Sequence, residues 1–344
     1  MSKRIIVIGA GIVGASVAYH LAAKGAHVIM VEAGEIASGV TGRSFAWINT
    51  SHGGPDSIAP LRAAAIAEYR RLESELPGLK VRWTGALSYG DGRFQAPSIY
   101  SAQILELEPN LKHPPERAFF AAEEGALDAV QATRALIAGA QAQGATLLTH
   151  TPVLGLQILD GIVSGVITAT GKHDADVVVL AAGTATPLLV DQLNVTLPID
   201  ASPAIFIRYK TQPQRVNTII SSPEMEIRQD TDGTLLAAED YVDEVPLNSA
   251  QAIAQRTAKV IQHELHGVLS IEPQTACVGL RPMPVDGIPV IGYLPNLSGA
   301  YVCVMHPGVT LAAVVGRLMA EEIVGGGFAT ALAPCRPDRF QSAF

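Results

Sequence analysis

The stretch Ile5-Ile-Val-Ile-Gly-Ala-Gly-Ile-Val-Gly14 decides the fold of this chain. Its apolar first half predicts a short buried strand, and its glycines predict a tight turn that leads into a helix. Gly9 permits the turn, Gly11 leaves bare backbone for a pyrophosphate, and Gly14 lets the helix pack closely on the strand. Unpaired N–H groups at the helix N-terminus favour bound phosphate. The stretch therefore predicts a dinucleotide-binding site.

The residues that follow agree with this interpretation. An amphipathic helix leads to a turn at Gly25, and a second apolar strand over 28–31 ends at Glu32. A carboxylate at this position accepts hydrogen bonds from an adenosine ribose and repels a 2′-phosphate, which disfavours an NADP-type ligand. The alternative is a glycine-rich turn without a ligand. The pattern alone does not distinguish NAD from FAD.

Composition limits the function classes. A length of 344 residues suggests about two domains, and 48% hydrophobic with 16% charged residues is typical of a compact enzyme. The net charge is -8 without a lysine or arginine run, which disfavours nucleic acid and anionic membranes as partners. No apolar stretch is long enough to span a bilayer.

Three widely spaced cysteines, Cys277, Cys303 and Cys335, suggest neither a disulfide framework nor a zinc site. No metal is expected, and a reduced, cytoplasmic setting fits.

Hydrophobic periodicity predicts the remaining elements. Helices are predicted over 61–76, 101–107, 128–144, 249–265 and 310–324. Strands are predicted over 81–89, 146–148, 154–158, 162–168, 176–182, 204–209, 226–229, 235–238 and 301–305. Residues 278–295 are rich in glycine and proline, and no strand is predicted there.

The chain resembles the FAD-dependent amine and amino-acid oxidoreductases of the D-amino acid oxidase family, which includes glycine oxidase and sarcosine oxidase. The matching segments extend over nearly the whole chain: 9–14 with Glu32, 37–44, 126–128, 152–153, 177–183, 279–282, 286–292 and 306–310. Their order and spacing favour FAD over NAD.

The resemblance implies an α/β fold with two domains. A doubly wound, Rossmann-like FAD-binding domain is expected over 1–83, 126–200 and 278–344. A second α+β substrate domain, built on an antiparallel sheet, is expected over 84–125 and 201–277.

The resemblance also implies the cofactor-binding residues. These are Gly9, Gly11, Ile12, Val13, Gly14, Glu32, Ala33, Ser38, Gly39, Thr41, Gly42, Arg43, Ser44, Val153, Ala182, Gly183, Arg281, Pro307, Gly308, Val309 and Thr310. Trp47, Asn49 and His52 follow in the same loop and are further candidates for the flavin face, with simple packing as the alternative. FAD is expected to be bound non-covalently, because Cys277 precedes the Gly-Leu-Arg-Pro motif and no cysteine lies within it.

Two residues carry the expected chemistry. Arg281 in Gly-Leu-Arg-Pro corresponds to the family arginine that pairs with the substrate carboxylate, and a planar guanidinium suits that role. A structural salt bridge is the alternative. His306 is expected to contact flavin or substrate, or else to bond only to backbone. In the family, the loop over 306–310 covers the flavin ring, and its backbone N–H groups and the dipole of the helix that follows would stabilise negative charge on the reduced flavin.

The substrate class stays open at this stage. Glycine oxidase-like members place a substrate-binding tyrosine earlier in this region than Tyr241, and Glu226 or Arg228 lies nearer to that position in this chain. A surface strand position without a role is the alternative. Glu226 would suit a substrate with a second cationic group. Residues 90–105 also look shortened, which would change the cover over the site.

The resemblance implies FAD-dependent oxidation of the C–N bond of an amino acid or secondary amine. A hydride would move to flavin N5, and the resulting imine would be hydrolysed. The electron acceptor is oxygen or another acceptor. The alternatives are a dye- or quinone-linked dehydrogenase, a flavin-binding subunit of a heteromeric amine or opine oxidase, and an NAD-dependent dehydrogenase. Homo-oligomers and hetero-subunits both remain open.

Overall fold

The computed structural model describes residues 2–50, 55–90, 98–193, 195–210, 213–241, 245–295 and 297–343. Within them the strands are β1 Arg4–Ile8, β2 His27–Val31, β3 Trp47–Ile48, β4 Val81–Arg82, β5 Ala86–Ser88, β6 Ser98–Tyr100, β7 Arg117–Ala121, β8 Gly125–Leu127, β9 Thr146–Leu148, β10 Val153–Leu159, β11 Ile162–Thr168, β12 Gly171–Asp174, β13 Val177–Leu180, β14 Ile199–Tyr209, β15 Ile219–Ser221, β16 Glu226–Gln229, β17 Leu235–Asp240, β18 Pro273–Pro284, β19 Val290–Tyr293 and β20 Ala300–Val304. The helices are α1 Ile12–Ala23, α2 Ala59–Glu75, α3 Ser101–Leu107, α4 Ala129–Ala142, α5 Thr186–Val190, α6 Ala250–Glu264 and α7 Gly308–Gly325.

A six-stranded sheet forms the first layer, in the order β19-β20-β13-β1-β2-β9. All neighbours in it are parallel except β19, which is antiparallel to β20. The apolar run of β1 lies at the centre and is buried on both faces, which explains why its sequence is continuously hydrophobic. The sheet draws its strands from three separate parts of the chain.

Helices cover one face of this sheet, where α1 packs between α4 and α7. Gly316 allows the close approach, because a Cβ there would lie 2.4 Å from Ser16 Oγ. That hydroxyl donates a hydrogen bond to Ala312 O at 2.7 Å. The three-stranded sheet β10-β11-β12 shares an apolar cluster with the opposite face through Val163 and Val166.

An eight-stranded sheet forms the second unit, in the order β18-β14-β17-β16-β15-β5-β7-β6. One of its faces packs on α3 and α6 through Ile104, Ile253 and Ile261. The other face carries Phe206 and Leu236 and packs on Phe45 and Trp47. The small sheet β3-β8-β4 lies next to this contact. The predicted α/β class, with a mainly parallel sheet and a second, mainly antiparallel sheet, is confirmed; the second sheet differs from the prediction in that β15 and β5 pair in parallel.

Two predicted elements were wrong in detail. The strand predicted over 81–89 is interrupted at Gly85, where φ is +74° and a Cβ would lie 2.5 Å from the Phe120 ring. Residues 278–295 contain most of β18 and all of β19, because pairing with β14 and β20 supplies the hydrogen bonds that hold them extended.

The two predicted domains stay a prediction. Both β14 and β18 run across the boundaries expected near residues 200 and 277. No helix among the described residues is long and apolar enough to cross a membrane.

Candidate active site

One cavity of about 780 Å³ lies between the two sheets. Residues at or just after the carboxyl ends of β1, β2, β13 and β20 line one side of it, and residues of β14, β16, β17 and β18 line the other. The carboxyl ends of parallel strands are where open α/β sheets bind their ligands. The sheet topology thus places the predicted dinucleotide turn and the predicted substrate arginine in one cavity.

The glycine turn closes one end of the cavity. Gly9 adopts φ +106°, and a Cβ there would lie 2.5 Å from Ala181 O. A Cβ at Gly11 would meet only Thr41 Oγ1, at 3.0 Å, so bare backbone faces the cavity. The Ile12 N–H donates to Thr41 Oγ1 at 3.2 Å, which holds the first turn of α1 against the loop.

Glu32 lies beside this turn in a fixed orientation. Its Oε2 accepts a hydrogen bond from Ala10 N at 2.7 Å, and its Oε1 accepts one from Gly34 N at 2.8 Å. A carboxylate oxygen has further acceptor capacity. Two backbone donors therefore hold Glu32 in place, and it can still receive the hydroxyls of a ribose.

The structure brings most predicted site residues to this cavity. Those that line it are Gly9, Gly11, Ile12, Val13, Glu32, Ala33, Ser38, Gly39, Thr41, Arg43, Ser44, Val153, Ala182, Gly183, Arg281, His306, Pro307, Gly308, Val309 and Thr310. Trp47 and Asn49 also line it. His52 lies outside the described residues.

Two predicted glycines are absent from the described lining, and both allow close packing. A Cβ at Gly14 would lie 2.1 Å from Gly9 O, and a Cβ at Gly42 would lie 2.6 Å from Ala37 O. They shape the loops that contact the cavity.

Arg43 and Thr310 make protein contacts in addition to lining the cavity. Arg43 Nη1 donates to Val278 O at 3.3 Å, which links the loop to β18. Thr310 Oγ1 donates to Trp47 O at 3.2 Å and accepts from Asn49 N at 3.1 Å. This hydroxyl ties the first turn of α7 to β3.

Arg281 is half-buried at the far end of the cavity. Its Nη2 donates to Ser202 Oγ at 2.9 Å and to Pro203 O at 3.3 Å, and it lies 3.9 Å from a carboxylate oxygen of Asp240. Its Nε is buried and has no hydrogen-bond partner in the described part of the chain. Its Nη1 also has no hydrogen-bond partner among the described residues and is not buried, so this nitrogen is the one suited to an anionic ligand.

His306 also lines this end and is half-buried. Desolvation, followed by the positive charges of Arg281 and Arg62, lowers the pKa of His306 to about 4. The imidazole is therefore neutral near pH 7 and can both donate and accept a hydrogen bond.

Arg62 was missed by the sequence analysis. It lies in the first turn of α2 and lines the cavity. Desolvation lowers the pKa of Arg62, although the charge of Glu124 opposes this effect. Its Nε is buried and lacks a hydrogen-bond partner among the described residues. An arginine near the start of a predicted helix carries no sequence signal for this position.

The structure places Glu226, Arg228 and Tyr241 in different surroundings. Glu226 lines the cavity, and the other two residues are absent from its described lining. Arg228 is buried and donates to Phe45 O at 2.9 Å and to Leu127 O at 3.1 Å. Tyr241 packs against the apolar cluster that includes α6.

Comparison with known proteins identifies the family of this chain. The family model "FAD dependent oxidoreductase" (DAO) matches residues 4–322. The chain belongs to this family. The prediction of the family, and with it that of an FAD-dependent oxidoreductase, is confirmed.

The alignments with relatives extend over almost the full length of this chain. Glycine oxidase of Bacillus licheniformis is 26% identical over 353 aligned positions, with 94% of each chain covered. A subunit of the opine oxidase of Agrobacterium tumefaciens is 23% identical, and the match covers 98% of this chain and 97% of that relative. L-proline dehydrogenase from P. horikoshii shares the fold, with a TM-score of 0.87, 21% identity and coverage of 99% and 98%.

The cavity fits FAD. The glycines that face it, among them Gly11, Gly39 and Gly183, leave room for a bulky ligand beside backbone, since a Cβ at Gly39 or Gly183 would meet nothing within 4 Å. The cavity extends from the ribose-type acceptor Glu32 to Arg281 and His306. The contacts of individual residues with FAD stay predictions.

Proposed function

We propose that this FAD-dependent oxidoreductase oxidises the C–N bond of an amine that carries a carboxylate. The observation that supports this proposal is that Arg281 lines the same cavity as the glycine turn and has a guanidinium nitrogen, Nη1, that is not buried and has no hydrogen-bond partner among the described residues. A guanidinium with a free edge binds a carboxylate through charge-assisted hydrogen bonds. The names of the two relatives, glycine oxidase and opine oxidase, agree with an amino-acid-like substrate.

The contacts of the chain's own residues support the following roles. Arg281 holds the carboxylate, and Ser202 and Pro203 hold Arg281. Neutral His306 offers a hydrogen bond near the reacting amine without adding positive charge. The N-terminus of α7, which begins at Gly308, directs the positive end of its helix dipole at the cavity.

FAD, when bound, supplies the oxidation by accepting a hydride from the carbon that carries the nitrogen, and water then hydrolyses the imine product. The protein orients the amine and excludes solvent, which is the main contribution expected of a flavoprotein of this kind. Non-covalent attachment is part of the proposal. Cys277 donates to Phe206 O at 3.6 Å and is not among the described lining residues, while Cys303 lines the cavity but is buried in β20.

The test is anaerobic reduction of the purified flavoprotein by a panel of D- and L-amino acids, N-methyl amino acids, cyclic imino acids and opines. We expect the yellow colour to bleach with at least one carboxylated amine. If no amine bleaches the flavin, the proposal is wrong. Release of free FAD by acid precipitation tests non-covalent binding, and flavin retained on the protein would contradict it.

A second candidate is a dehydrogenase, or one component of a heteromeric oxidase, that passes electrons to another acceptor. The observation that supports this candidate is the similarity, over 98% of this chain, to a relative that is named as one subunit of an opine oxidase. Oxygen consumption compared with dye reduction, measured on the isolated chain, separates it from an oxidase. The cytoplasmic location likewise stays a prediction.

A further inference from the structure

Glu226 presents an unsatisfied carboxylate to the cavity. It is cross-strand neighbour to Ala238 on β17, which in turn pairs with Phe206 on β14, and all three line the cavity. None of the described residues donates a hydrogen bond to the Glu226 carboxylate or forms an ion pair with it.

The surroundings of Glu226 are mainly unfavourable to its charge. Desolvation, followed by the negative charges of Asp240 and Glu239, raises the pKa of Glu226 to about 7, and Arg281 opposes this only in part. Glu226 is half-buried, and a partly desolvated carboxylate without partners is costly to a protein. A cationic ligand group would remove that cost.

The distance to Arg281 decides which cation fits. The side chains of Glu226 and Arg281 lie on the same face of the eight-stranded sheet. Glu226, Ala238, Phe206 and Cys277 are direct neighbours across the strands and therefore share one face. Arg281 follows Cys277 by four residues on β18, and side chains an even number of residues apart on a strand point to the same face. The strands β17 and β14 separate β16 from β18, so roughly 14 Å separates the two outer strands.

Arg281 is also displaced from Glu226 along the strand direction. Its partner on β14 is Ser202, four residues before Phe206, which is in the same cross-strand row as Glu226; four residues of strand correspond to roughly 13 Å. Two long side chains bridge part of this separation and leave several ångströms between their charged groups. The charge of Arg281 still acts on Glu226. An α-ammonium group, one carbon from its carboxylate, does not span that gap.

We propose that Glu226 forms a subsite for a second positive charge, so that the preferred substrates are carboxylated amines with a distal ammonium or guanidinium group. This inference rests on the proposed function, because it takes Arg281 as the site of the carboxylate. Glu226 is then a specificity-determining residue that contacts substrate away from the reacting carbon.

Binding of two matched ligands to the FAD-loaded protein tests the subsite without any oxidation. Isothermal titration compares 6-aminohexanoate with hexanoate, which share a carboxylate and differ in the distal ammonium group. We expect the wild type to bind 6-aminohexanoate at least tenfold more tightly. Glu226→Gln and Glu226→Leu should abolish the difference, whereas Glu224→Gln, which removes an exposed carboxylate two residues away, should keep it.

Two different substitutions at Glu226 keep the test valid if one of the variants fails to fold. Glutamine keeps the shape of the side chain, and leucine removes a half-buried charge that lacks a partner, so at least one is expected to fold and retain FAD. The proposal is overturned if the wild type shows no preference, if neither acid binds, or if a folded Glu226 variant keeps the preference.

Oxidation of matched amino acids gives the second readout. We expect lysine to have at least a tenfold higher kcat/KM than norleucine of the same configuration, and Glu226→Gln to remove this ratio. If ligand binding shows the preference but no amine bleaches the flavin, the proposed function fails and the subsite stands. If amines bleach the flavin and the ratio is near one, the subsite fails and the function stands.

Discussion

Gly11→Ala should mainly weaken FAD binding, whereas Gly14→Ala should mainly lower the free energy of unfolding. The reason is that Gly11 faces the cavity and Gly14 faces backbone. At Gly11 the backbone is extended, with φ -76° and ψ 176°, which any residue adopts. An added Cβ would meet only Thr41 Oγ1, at 3.0 Å. At Gly14 it would lie 2.1 Å from Gly9 O, so the helix must move away from the strand.

The magnitudes follow from these contacts. Relieving the contact at Gly14 requires a shift of about 1 Å, and overpacking of this kind lowers the free energy of unfolding by about 1–3 kcal/mol. At Gly11 the methyl group should change the unfolding free energy of the FAD-free protein by less than about 1 kcal/mol. The same methyl group would separate a bound phosphate from the backbone N–H groups of the turn. Loss of one charge-assisted hydrogen bond costs about 1.5–3 kcal/mol of binding free energy, which weakens FAD binding roughly 10- to 100-fold.

Two measurements separate the effects. Urea unfolding of the FAD-free protein reports the packing cost, and quenching of flavin fluorescence on binding reports the Kd for FAD. The reasoning is refuted if Gly11→Ala destabilises the FAD-free protein as much as Gly14→Ala does. It is equally refuted if Gly11→Ala leaves the Kd for FAD unchanged.

Three further predictions concern charged and titratable groups. Arg281→Met should raise KM for carboxylated amines at least 100-fold, which steady-state kinetics would show, and an unchanged KM would exclude the carboxylate role. Arg228→Met should lower the free energy of unfolding by about 2–4 kcal/mol in urea titrations, because it leaves Phe45 O and Leu127 O without their donor; a change below about 1 kcal/mol would contradict this. Burial lowers the pKa of His20 to about 4, so between about pH 4 and 6.5 the unfolded chain binds more protons and stability rises with pH. His20→Gln should flatten that rise, on the order of 3 kcal/mol at most, in unfolding curves measured across this range.

The cofactor end of the site was predictable because its determinants are local. A strand, a glycine turn, a helix and an acid at the end of the next strand lie within residues 4–32, and each contributes through backbone geometry. The Gly9 conformation and the Glu32 contacts follow from that short segment. The packing role of Gly14 also follows from spacing alone.

The substrate end was less predictable because distant strands assemble it. Residues 278–295 have a composition typical of loops, yet β14 holds β18 extended through Pro284. Arg62 reaches the cavity from α2, and only the arrangement of that helix beside α7 places it there. Local propensity carries no information about such contacts.

Strand register explains why Glu226 in particular stayed undecided. Side chains alternate between the two faces of a sheet, so a shift of β16 by one residue against β17 would turn Ile227 toward the cavity and Glu226 into the apolar cluster. The observed register buries Ile227 instead, and the cost of burying a carboxylate among apolar residues opposes the shifted one. The hydrophobic pattern of β16 thus fixes its pairing, and the pairing in turn places a carboxyl group in the cavity. The substrate preference proposed for this chain therefore depends on the same alternation that stabilises the sheet.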